Sequence, residues 1–253
     1  MSIRVRQHVN PLSQKFQQST VLPPWETCYH SPQAPLHLDL GSARGTFILE
    51  MAQLRPDWNF LGLEIREPLV NSANQQRDNL GLDNLHYLFC NANVSLPSLL
   101  RSLPPGVLRY VTIQFPDPWF KKRHHKRRLV QPALVEALGD CLIPGGEVLL
   151  QSDVEAVAQE MVDRFGESPL FRARSATWLP TNPLPIPTER EQATLRKGLP
   201  VYRQVFQRQV FQRQGTHPPV APPPMAPRPQ PQISPLPPAT APDQGSIPED
   251  PGL

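Results

Sequence analysis

The sequence predicts an α/β fold in which helices flank a doubly wound, mostly parallel β-sheet, followed by a disordered proline-rich tail. Two patterns support this fold class. From Leu36 onward, short apolar runs alternate with longer amphipathic runs, which is typical of a parallel sheet wrapped by helices. Proline dominates from Pro218 to Pro251, and such a segment buries too little apolar surface to offset its ordering entropy.

Five strands alternate with five helices in this prediction. The strands are short apolar runs bounded by turn residues, and the helices are the amphipathic runs between them. The predicted strands span residues 36–40, 59–64, 85–90, 109–115 and 147–151. The predicted helices span residues 46–54, 68–80, 95–103, 131–142 and 154–165. Successive strand-helix units of this kind form a doubly wound sheet.

The alternation changes after Phe171. Here the sequence predicts a short strand reaching Trp178, a proline-rich loop, a short helix starting at Thr188 and a last strand over residues 201–207. The full length of 253 residues suits one sizeable core with irregular ends. We therefore expect three regions: a flexible N-terminal arm over residues 1–30, one folded domain over 31–208, and the proline-rich tail over 209–253.

Cysteine usage and hydropathy bound the protein's environment. Cys28, Cys90 and Cys141 form an odd set with neither a C-x-x-C pair nor zinc-like spacing, so we expect no disulfide framework and no metal site. No run of about 18 uninterrupted apolar residues is present, and residues 1–20 lack a continuous apolar core. These features predict a cytoplasmic protein without a membrane span.

Positive charge is concentrated in one place, although the formal net charge is only +3. The sequence K-K-R-H-H-K-R-R occupies residues 121–128, which we call the basic segment, and six of its eight residues are Lys or Arg. A block of this density attracts a polyanion at close range. The alternative is a solvated basic loop without a partner. Arg4, Arg6 and His8 are candidates for a weaker extension of the same surface.

A glycine-bearing turn links the first predicted strand to the first helix. Asp39 is the last residue but one of the strand, and Gly41 and Gly45 follow in the arrangement D-x-G-x-x-x-G. Glycine permits a tight turn and close backbone approach to a ligand, and the free N–H groups of the helix N-terminus bind an anion. The G-x-G-x-x-G fingerprint is missing, which disfavours a dinucleotide cofactor.

Polar residues also end the second and third predicted strands. Glu64 is placed to accept both hydroxyl protons of an adenosine ribose, or alternatively to cap the following helix. Asn91, Ala92 and Asn93 supply amide groups for an adenine edge, or an Asx turn into the next helix. Together with the glycine turn, this set resembles the class I S-adenosyl-L-methionine-dependent methyltransferases. The resemblance implies that cofactor but not the substrate.

The fourth predicted strand leads into F-P-D-P-W-F at residues 115–120, directly before the basic segment. Prolines on both sides of Asp117 restrict the backbone and place one carboxylate at the ligand-binding edge of the sheet. Trp119 or Phe120 can stack on an extracted base, and the basic segment can neutralise RNA phosphates. In the alternative interpretation, Asp117 only caps a turn and Trp119 only packs.

The motif F-P-D-P-W-x-K-x-R-H-x-K-R-R resembles the signature of the tRNA (guanine-N7-)-methyltransferase family and is present here without a gap. The resemblance extends over roughly residues 30–208. It implies that Asp117 is the catalytic aspartate and also contacts the cofactor, and that Lys121 binds substrate. It also implies cofactor contacts at the residues named above: Asp39, Gly41, Gly45, Glu64, Asn91 and Ala92. Asn93 is the alternative to Asn91.

Two further elements match the same family. Asp153, after the fifth predicted strand, matches its second substrate-side acid. Residues 188–191, T-E-R-E, resemble its T-x-[FY]-E element, so Thr188 and Glu191 are implied as substrate-binding residues. Arg190 departs from the usual aromatic, which puts a stacking contact at that position in doubt.

The function that the resemblance implies is methyl transfer from S-adenosyl-L-methionine to N7 of guanine at position 46, in the variable loop of tRNA. N7 presents a lone pair at neutral pH, so its attack needs no deprotonation. We therefore expect Asp117 to orient guanine and to stabilise the positive charge that arrives on it.

Two other classes of function each explain part of the sequence. A methyltransferase acting on a protein or small molecule explains Asp39, Gly41 and Glu64 but gives the basic segment no role. A non-catalytic RNA-binding protein explains the basic segment but not the cofactor-like spacing.

Overall fold

Seven strands and seven helices make up the described part of the structure, a computed structural model whose described residues are 9–210. The strands are β1 Leu36–Leu40, β2 Asn59–Glu64, β3 Leu85–Phe89, β4 Leu108–Gln114, β5 Glu147–Ser152, β6 Phe171–Ala173 and β7 Tyr202–Arg208. The helices are α1 Trp25–Cys28, α2 Thr46–Leu54, α3 Glu67–Asn79, α4 Ala92–Ser102, α5 Pro132–Cys141, α6 Glu155–Gly166 and α7 Glu189–Arg196. Two 3-10 turns lie at Gln14–Phe16 and Lys122–Arg127.

The strands form one sheet in the order β3-β2-β1-β4-β5-β7-β6. The first five strands of that order are parallel, and β7 runs antiparallel between β5 and β6. This confirms the predicted doubly wound, mostly parallel sheet. The order reverses between β1 and β4, and the carboxyl ends of strands at such a switch point frame a crevice where ligands bind.

Two apolar layers cover the faces of the sheet. Phe60 of β2 packs with Phe47 and Val70 of α2 and α3, whereas its neighbour Leu61 packs in the layer that includes α4, α5 and α6. Successive side chains of a strand point to opposite faces, so this alternation separates the two layers. The tightly packed strands β1 and β4 between them give the crevice a rigid floor.

The N-terminal segment corrects one expectation. Residues 1–30 were expected to be a flexible arm, but in the described part of that segment Trp25 and Tyr29 are buried in the core, with their rings stacked at a centroid separation of 6.2 Å. Trp25 Nε1 donates to Ser102 Oγ at 3.0 Å, and Tyr29 Oη donates to the Phe60 carbonyl at 3.1 Å. Burial of two large aromatic side chains outweighs the polar composition around them. Arg4, Arg6 and His8 lie outside the described residues, as does the tail from residue 211.

Helix boundaries differ from prediction by up to three residues. α4 starts at Ala92 rather than at residue 95, because the Asn91 side chain accepts a hydrogen bond from the Asn93 N–H at 3.2 Å and caps the helix there. α1 and the two 3-10 turns were not predicted, since they are shorter than the periodic patterns that reveal helices. No helix within residues 9–210 is long and apolar enough to cross a membrane.

Candidate active site

A cavity of about 540 Å³ opens at the carboxyl ends of β1 to β5, where the N-termini of α2, α4 and α7 also converge. Its volume is in the usual range for small-molecule and cofactor sites. Nine of the eleven residues predicted for the site line it: Asp39, Gly41, Gly45, Glu64, Asn91, Ala92, Asp117, Asp153 and Thr188. The structure does not place Lys121 or Glu191 among the lining residues.

The turn after β1 depends on three residues with left-handed backbone. Gly41, Ala43 and Gly45 have φ values of 88°, 51° and 80°. A Cβ on Gly45 would lie only 2.6 Å from the Tyr87 ring, whose hydroxyl donates to the Gly45 carbonyl at 2.7 Å. Glycine is therefore required at position 45 by both backbone and space. The turn brings backbone groups to the cavity wall, as predicted.

Asp39 is an acid with very little access to solvent. Its side chain is 4% exposed, and its Oδ1 accepts a 2.6 Å hydrogen bond from the Thr112 hydroxyl of β4. Burial raises the pKa of Asp39 to about 6, and the negative charge of Glu64 adds to this, while hydrogen bonds from Thr112 and Gln114 act in the opposite direction. A cation bound beside it would favour the charged form.

Glu64 is buried at the end of β2 and already has partners. It accepts from the Ala43 N–H at 2.9 Å and the Arg66 N–H at 3.0 Å, and it forms an ion pair with the Arg66 guanidinium at 2.9 Å. The hydrogen bond that Arg66 donates to Glu64 is the main cause that raises the pKa of Arg66, and the charge of Asp117 contributes too. Arg66 thus interacts with both carboxylates.

Asn91 is used structurally in this arrangement. Its side-chain N–H groups donate to the carbonyls of Pro11 and Phe16 at 3.0 and 3.2 Å, and its oxygen caps α4. Val9 and Pro11 also line the cavity, so Asn91 holds the N-terminal segment as a wall beside it. Asn93, the other predicted candidate, is exposed and also lines the cavity. A cofactor contact by Asn93 would not require the hydrogen bonds of Asn91 to the N-terminal segment to break.

Asp117 lies in a tightly constrained loop after β4. Phe115 and Trp119 on either side have φ values of 50° and 41°, which is uncommon for bulky residues. The Phe115 N–H donates to the Gln151 carbonyl of β5 at 2.8 Å, which ties the loop to the sheet. Such strained positions cluster at functional sites, where the surrounding structure holds them. The half-buried Asp117 carboxyl is therefore held in a fixed position at the cavity.

Asp153 and Arg190 form an ion pair at the rim of the cavity, where β5 ends and α7 begins. Asp153 Oδ2 accepts from Arg190 Nη2 at 2.5 Å and from Nε at 2.9 Å, and the Thr194 hydroxyl lies 3.4 Å away. Asp153 follows β5, while Arg190 and Thr194 belong to α7. The pair joins α7 to the sheet at the cavity, where the Arg190 side chain remains 60% exposed.

Glu191 lies behind this rim rather than in the cavity. Its side chain is 2% exposed and forms an ion pair with Arg203 of β7 at 2.6 Å. Asn182 and Gln151 donate to its other oxygen at 2.7 and 3.2 Å. Thr188 caps α7 by accepting from the Glu191 N–H at 3.1 Å. Within residues 9–210, these contacts make Glu191 an anchor for α7.

The basic segment divides into three kinds of side chain. Lys121, Lys122, Arg123 and Lys126 are exposed. Arg128 is 8% exposed, donates from Nε to the Pro118 carbonyl at 2.8 Å and forms an ion pair with Glu160 of α6. Arg127 lines the cavity, with its guanidinium 5.0 Å from the centre of the Trp119 ring.

Comparison with known proteins identifies the family. A family model described as "Putative methyltransferase" matches residues 33–204. A tRNA (guanine-N(7)-)-methyltransferase of Trichormus variabilis is 61% identical over 206 residues, covering 81% of this chain and 96% of the relative. One of Synechococcus elongatus is 59% identical over 204 residues, covering 81% and 96%. The chain belongs to the tRNA (guanine-N(7)-)-methyltransferase family.

A solved structure supports the fold independently of this family. The antibiotic-resistance methyltransferase Kmr aligns with a TM-score of 0.51 at 16% identity, covering 78% of this chain and 98% of Kmr. At that identity, the likeness concerns the fold alone. It confirms the methyltransferase architecture that the sequence predicted.

Sequence reasoning missed two residues at the site of this tRNA (guanine-N(7)-)-methyltransferase family member. Arg66 pairs with Glu64, and an arginine two residues after a strand-ending acid was the available signal. Gln114 lines the cavity beside Asp39, and its amide lowers the pKa of that acid. No sequence signal marked Gln114, because it lies in an ordinary strand. Over residues 9–210, no group of His, Cys, Asp and Glu is placed to hold a metal ion.

Proposed function

We propose that this protein transfers a methyl group from S-adenosyl-L-methionine to N7 of guanine in tRNA, at position 46 of the variable loop. The observation that carries the proposal is the position of Asp117. It lines the same cavity as the carboxylates of Asp39 in β1 and Glu64 in β2 and as Arg127 of the basic segment. The relatives' names support N7 of guanine as the target, and the family resemblance supports position 46.

The chemistry of the cavity residues fits the proposed cofactor, which supplies an electrophilic methyl group when bound. The carboxylate of Asp39 suits the ammonium of the methionine moiety. The Gln114 amide, which also lines the cavity and interacts with Asp39, is suited to donate to the methionine carboxylate. The N–H groups at the start of α2 favour the same anion.

Glu64 is the residue that we propose binds the ribose hydroxyls. A carboxylate at the end of the second strand accepts two hydroxyl protons. Arg66 now occupies part of its hydrogen-bonding capacity, through contacts at 2.9 Å. The Arg66 guanidinium would therefore have to share Glu64 with the ribose or withdraw from it. Asn93 or the backbone of Ala92 would contact the adenine, because the Asn91 amide is engaged by Pro11 and Phe16.

In this proposal, Asp117 stabilises the positive charge that forms on guanine. The guanine N7 lone pair attacks the methyl carbon, the methyl–sulfur bond breaks, and the bonding electrons remain on sulfur. The purine becomes cationic as the sulfonium loses its charge. A fixed carboxylate beside the base stabilises that cation and holds N7 in line. The proline-bounded loop keeps Asp117 from relaxing away from the base.

The outer rim binds the rest of the RNA. The exposed lysines of the basic segment, including Lys121, contact phosphates. Asp153 and Thr188 line the cavity close to where the base enters, and we assign them to the nucleotide that carries the target. Glu191 supports this rim indirectly by anchoring α7. We further propose that residues 31–208 form the catalytic domain and that the protein works in the cytoplasm.

The test is mass spectrometry of nucleosides from unmodified tRNA incubated with the protein and isotopically labelled S-adenosyl-L-methionine. We expect labelled 7-methylguanosine, mapped to position 46. An Asp117→Ala variant should give almost none, whereas Asp140→Ala, on the exposed face of α5, should match the wild type. Cofactor binding without label in tRNA would favour a protein or small-molecule substrate. Binding of tRNA without cofactor binding would leave only an RNA-binding protein.

A further inference from the structure

We propose that Arg127 recognises O6 of the target guanine and thereby selects guanine over adenine; the inference rests on the proposed function. Arg127 differs from the rest of the basic segment in its position. Its guanidinium lies over the Trp119 ring at 5.0 Å, and both side chains line the cavity that contains Asp117. The other Lys and Arg residues of the segment are absent from the cavity wall.

The Arg127 side chain has an unmet hydrogen-bonding need. Its Nε is buried and has no hydrogen-bond partner among residues 9–210. A buried N–H without an acceptor is destabilising, because its lost hydrogen bond to water is not replaced. Arg128, the next residue, shows the contrast, because its Nε donates to the Pro118 carbonyl and its guanidinium pairs with Glu160. An acceptor brought by the substrate would satisfy Arg127.

Trp119 keeps Arg127 at the site. Stacking on an indole face holds a guanidinium in one plane while leaving its N–H groups directed outward from the ring edge. The left-handed backbone of Trp119, with φ of 41°, fixes the position of the ring relative to Asp117 two residues earlier. Arg127 and Asp117 are therefore presented to the same ligand.

The chemistry of the purine edge selects the acceptor. A base that is methylated at N7 must present its Hoogsteen edge to the methyl group, and O6 of guanine is next to N7 on that edge. Arginine carries donors only. It can donate to O6 of guanine. Adenine has an amino group at the same position, so two donors would face each other and no hydrogen bond would form. A single bond to O6 leaves N7 free to attack.

Asp117 offsets the electrostatic cost of this contact. A guanidinium near the base opposes the positive charge that develops on the purine, and the Asp117 carboxylate compensates for it. Phosphate binding by Arg127 is a different assignment, and it makes no distinction between bases. The two assignments therefore differ in what they predict for base selectivity.

The experiment compares two tRNA substrates that carry either guanine or 2,6-diaminopurine at the target position. 2,6-Diaminopurine keeps N7 and the 2-amino group but replaces O6 with an amine. The steady-state kcat/KM for each tRNA is measured for the wild type, Arg127→Gln, Arg127→Lys and Lys126→Gln. We expect the wild type to favour guanine, and Arg127→Gln to reduce that preference by about tenfold or more.

Two control variants show whether a change in base preference is specific to the Arg127 guanidinium. Lys126→Gln, altered at the exposed neighbouring residue, should weaken both substrates equally and keep the wild-type preference. Arg127→Lys retains the charge but not the planar donor, so its preference should also fall. Circular dichroism melting shows whether each variant folds. If Arg127→Gln folds and keeps the wild-type preference, Arg127 does not recognise O6. If the wild type methylates neither base, the proposed function itself has failed.

Discussion

The residues that flank Asp117 fix the position of its carboxylate. Two prolines flank it, and the residues beyond them, Phe115 and Trp119, have left-handed backbone. A hydrogen bond from the Phe115 N–H to β5 keeps the loop on the sheet. An acid in a flexible loop would reorient as charge develops, whereas a fixed one stabilises that charge without reorganisation.

We predict that Asp117→Ala lowers the single-turnover rate of methyl transfer about a hundredfold, which corresponds to roughly 3 kcal/mol for one preorganised electrostatic contact. Affinity for S-adenosyl-L-methionine, measured by calorimetry, should change little, because the proposed anchors of the cofactor are Asp39 and Glu64. Asp140→Ala is the control for loss of an acid elsewhere. A variant with the wild-type rate would show that Asp117 is not catalytic.

A second residue-scale prediction concerns pH. Burial raises the pKa of Asp39 to about 6 in the unliganded protein. If its charged form binds the cofactor ammonium, affinity should be full above pH 6 and should fall as the pH drops below it, because Asp39 becomes protonated. A charged hydrogen bond is worth roughly 1.5–3 kcal/mol, so the dissociation constant should rise about tenfold or more.

The measurement is calorimetric titration of S-adenosyl-L-methionine at several values between pH 5 and pH 8. Asp39→Asn, which keeps the shape but not the titration, should bind weakly at every pH and lose this dependence. An unchanged pH profile in Asp39→Asn would assign the dependence to another group.

Two elements, α7 and the basic segment, complete the site from opposite sides. α7 is held to the sheet by Glu191 and Arg203, a pair almost without exposure to solvent. The basic segment is held through Arg128, which contacts Pro118 and Glu160. Each element thus uses an ion pair for position, and in this proposal its other side chains contact RNA.

Glu191→Gln tests the role of the pair beneath α7. Removing one partner of a buried pair leaves the other charge uncompensated, which costs about 3–5 kcal/mol. We expect a clearly lower melting temperature, with Arg203 as the orphaned charge. Glu189→Gln, on the same helix but exposed, should melt like the wild type. A stable Glu191→Gln variant that has lost only tRNA affinity would instead support direct substrate binding.

The basic segment gives the second element-scale prediction. If Lys122 and Lys126 contact phosphates, replacing both with alanine should weaken tRNA binding and reduce the slope of log affinity against log salt by up to about two. Cofactor affinity should not change. Arg128→Ala should behave differently, losing thermal stability because Glu160 loses its arginine partner and the Pro118 carbonyl loses its donor. Filter binding across a salt series separates these outcomes, and an unaltered slope in the lysine variant would reject phosphate contact.

Across the whole molecule, the sequence predicted the sheet well because its signal is local. The predicted first two strands match the observed β1 and β2, and the glycine turn and Asp117 lie at the cavity as expected. Contacts between side chains that are far apart in the sequence could not be predicted in this way. The buried partner of Glu191 is Arg203, twelve positions away, and Asn91 holds a segment more than seventy residues earlier. No periodicity reveals such contacts, so the family resemblance implied substrate binding by Glu191 but gave no sign of its ion pair with Arg203.

The last prediction concerns the extent of the catalytic unit. β7, which ends at Arg208, pairs with both β5 and β6 and completes the sheet. Residues 216–253 are rich in proline and poor in large apolar side chains, so by composition they add little buried area. Removing them should shift the melting temperature by less than about 2 °C, the effect of under 1 kcal/mol in a domain of this size. Methylation of tRNA should continue at the wild-type rate. A chain shortened to residue 200 provides the contrast, because it lacks β7 and should not fold. If the longer truncation product melted much earlier or lost activity, the proline-rich tail would have to dock on the catalytic domain.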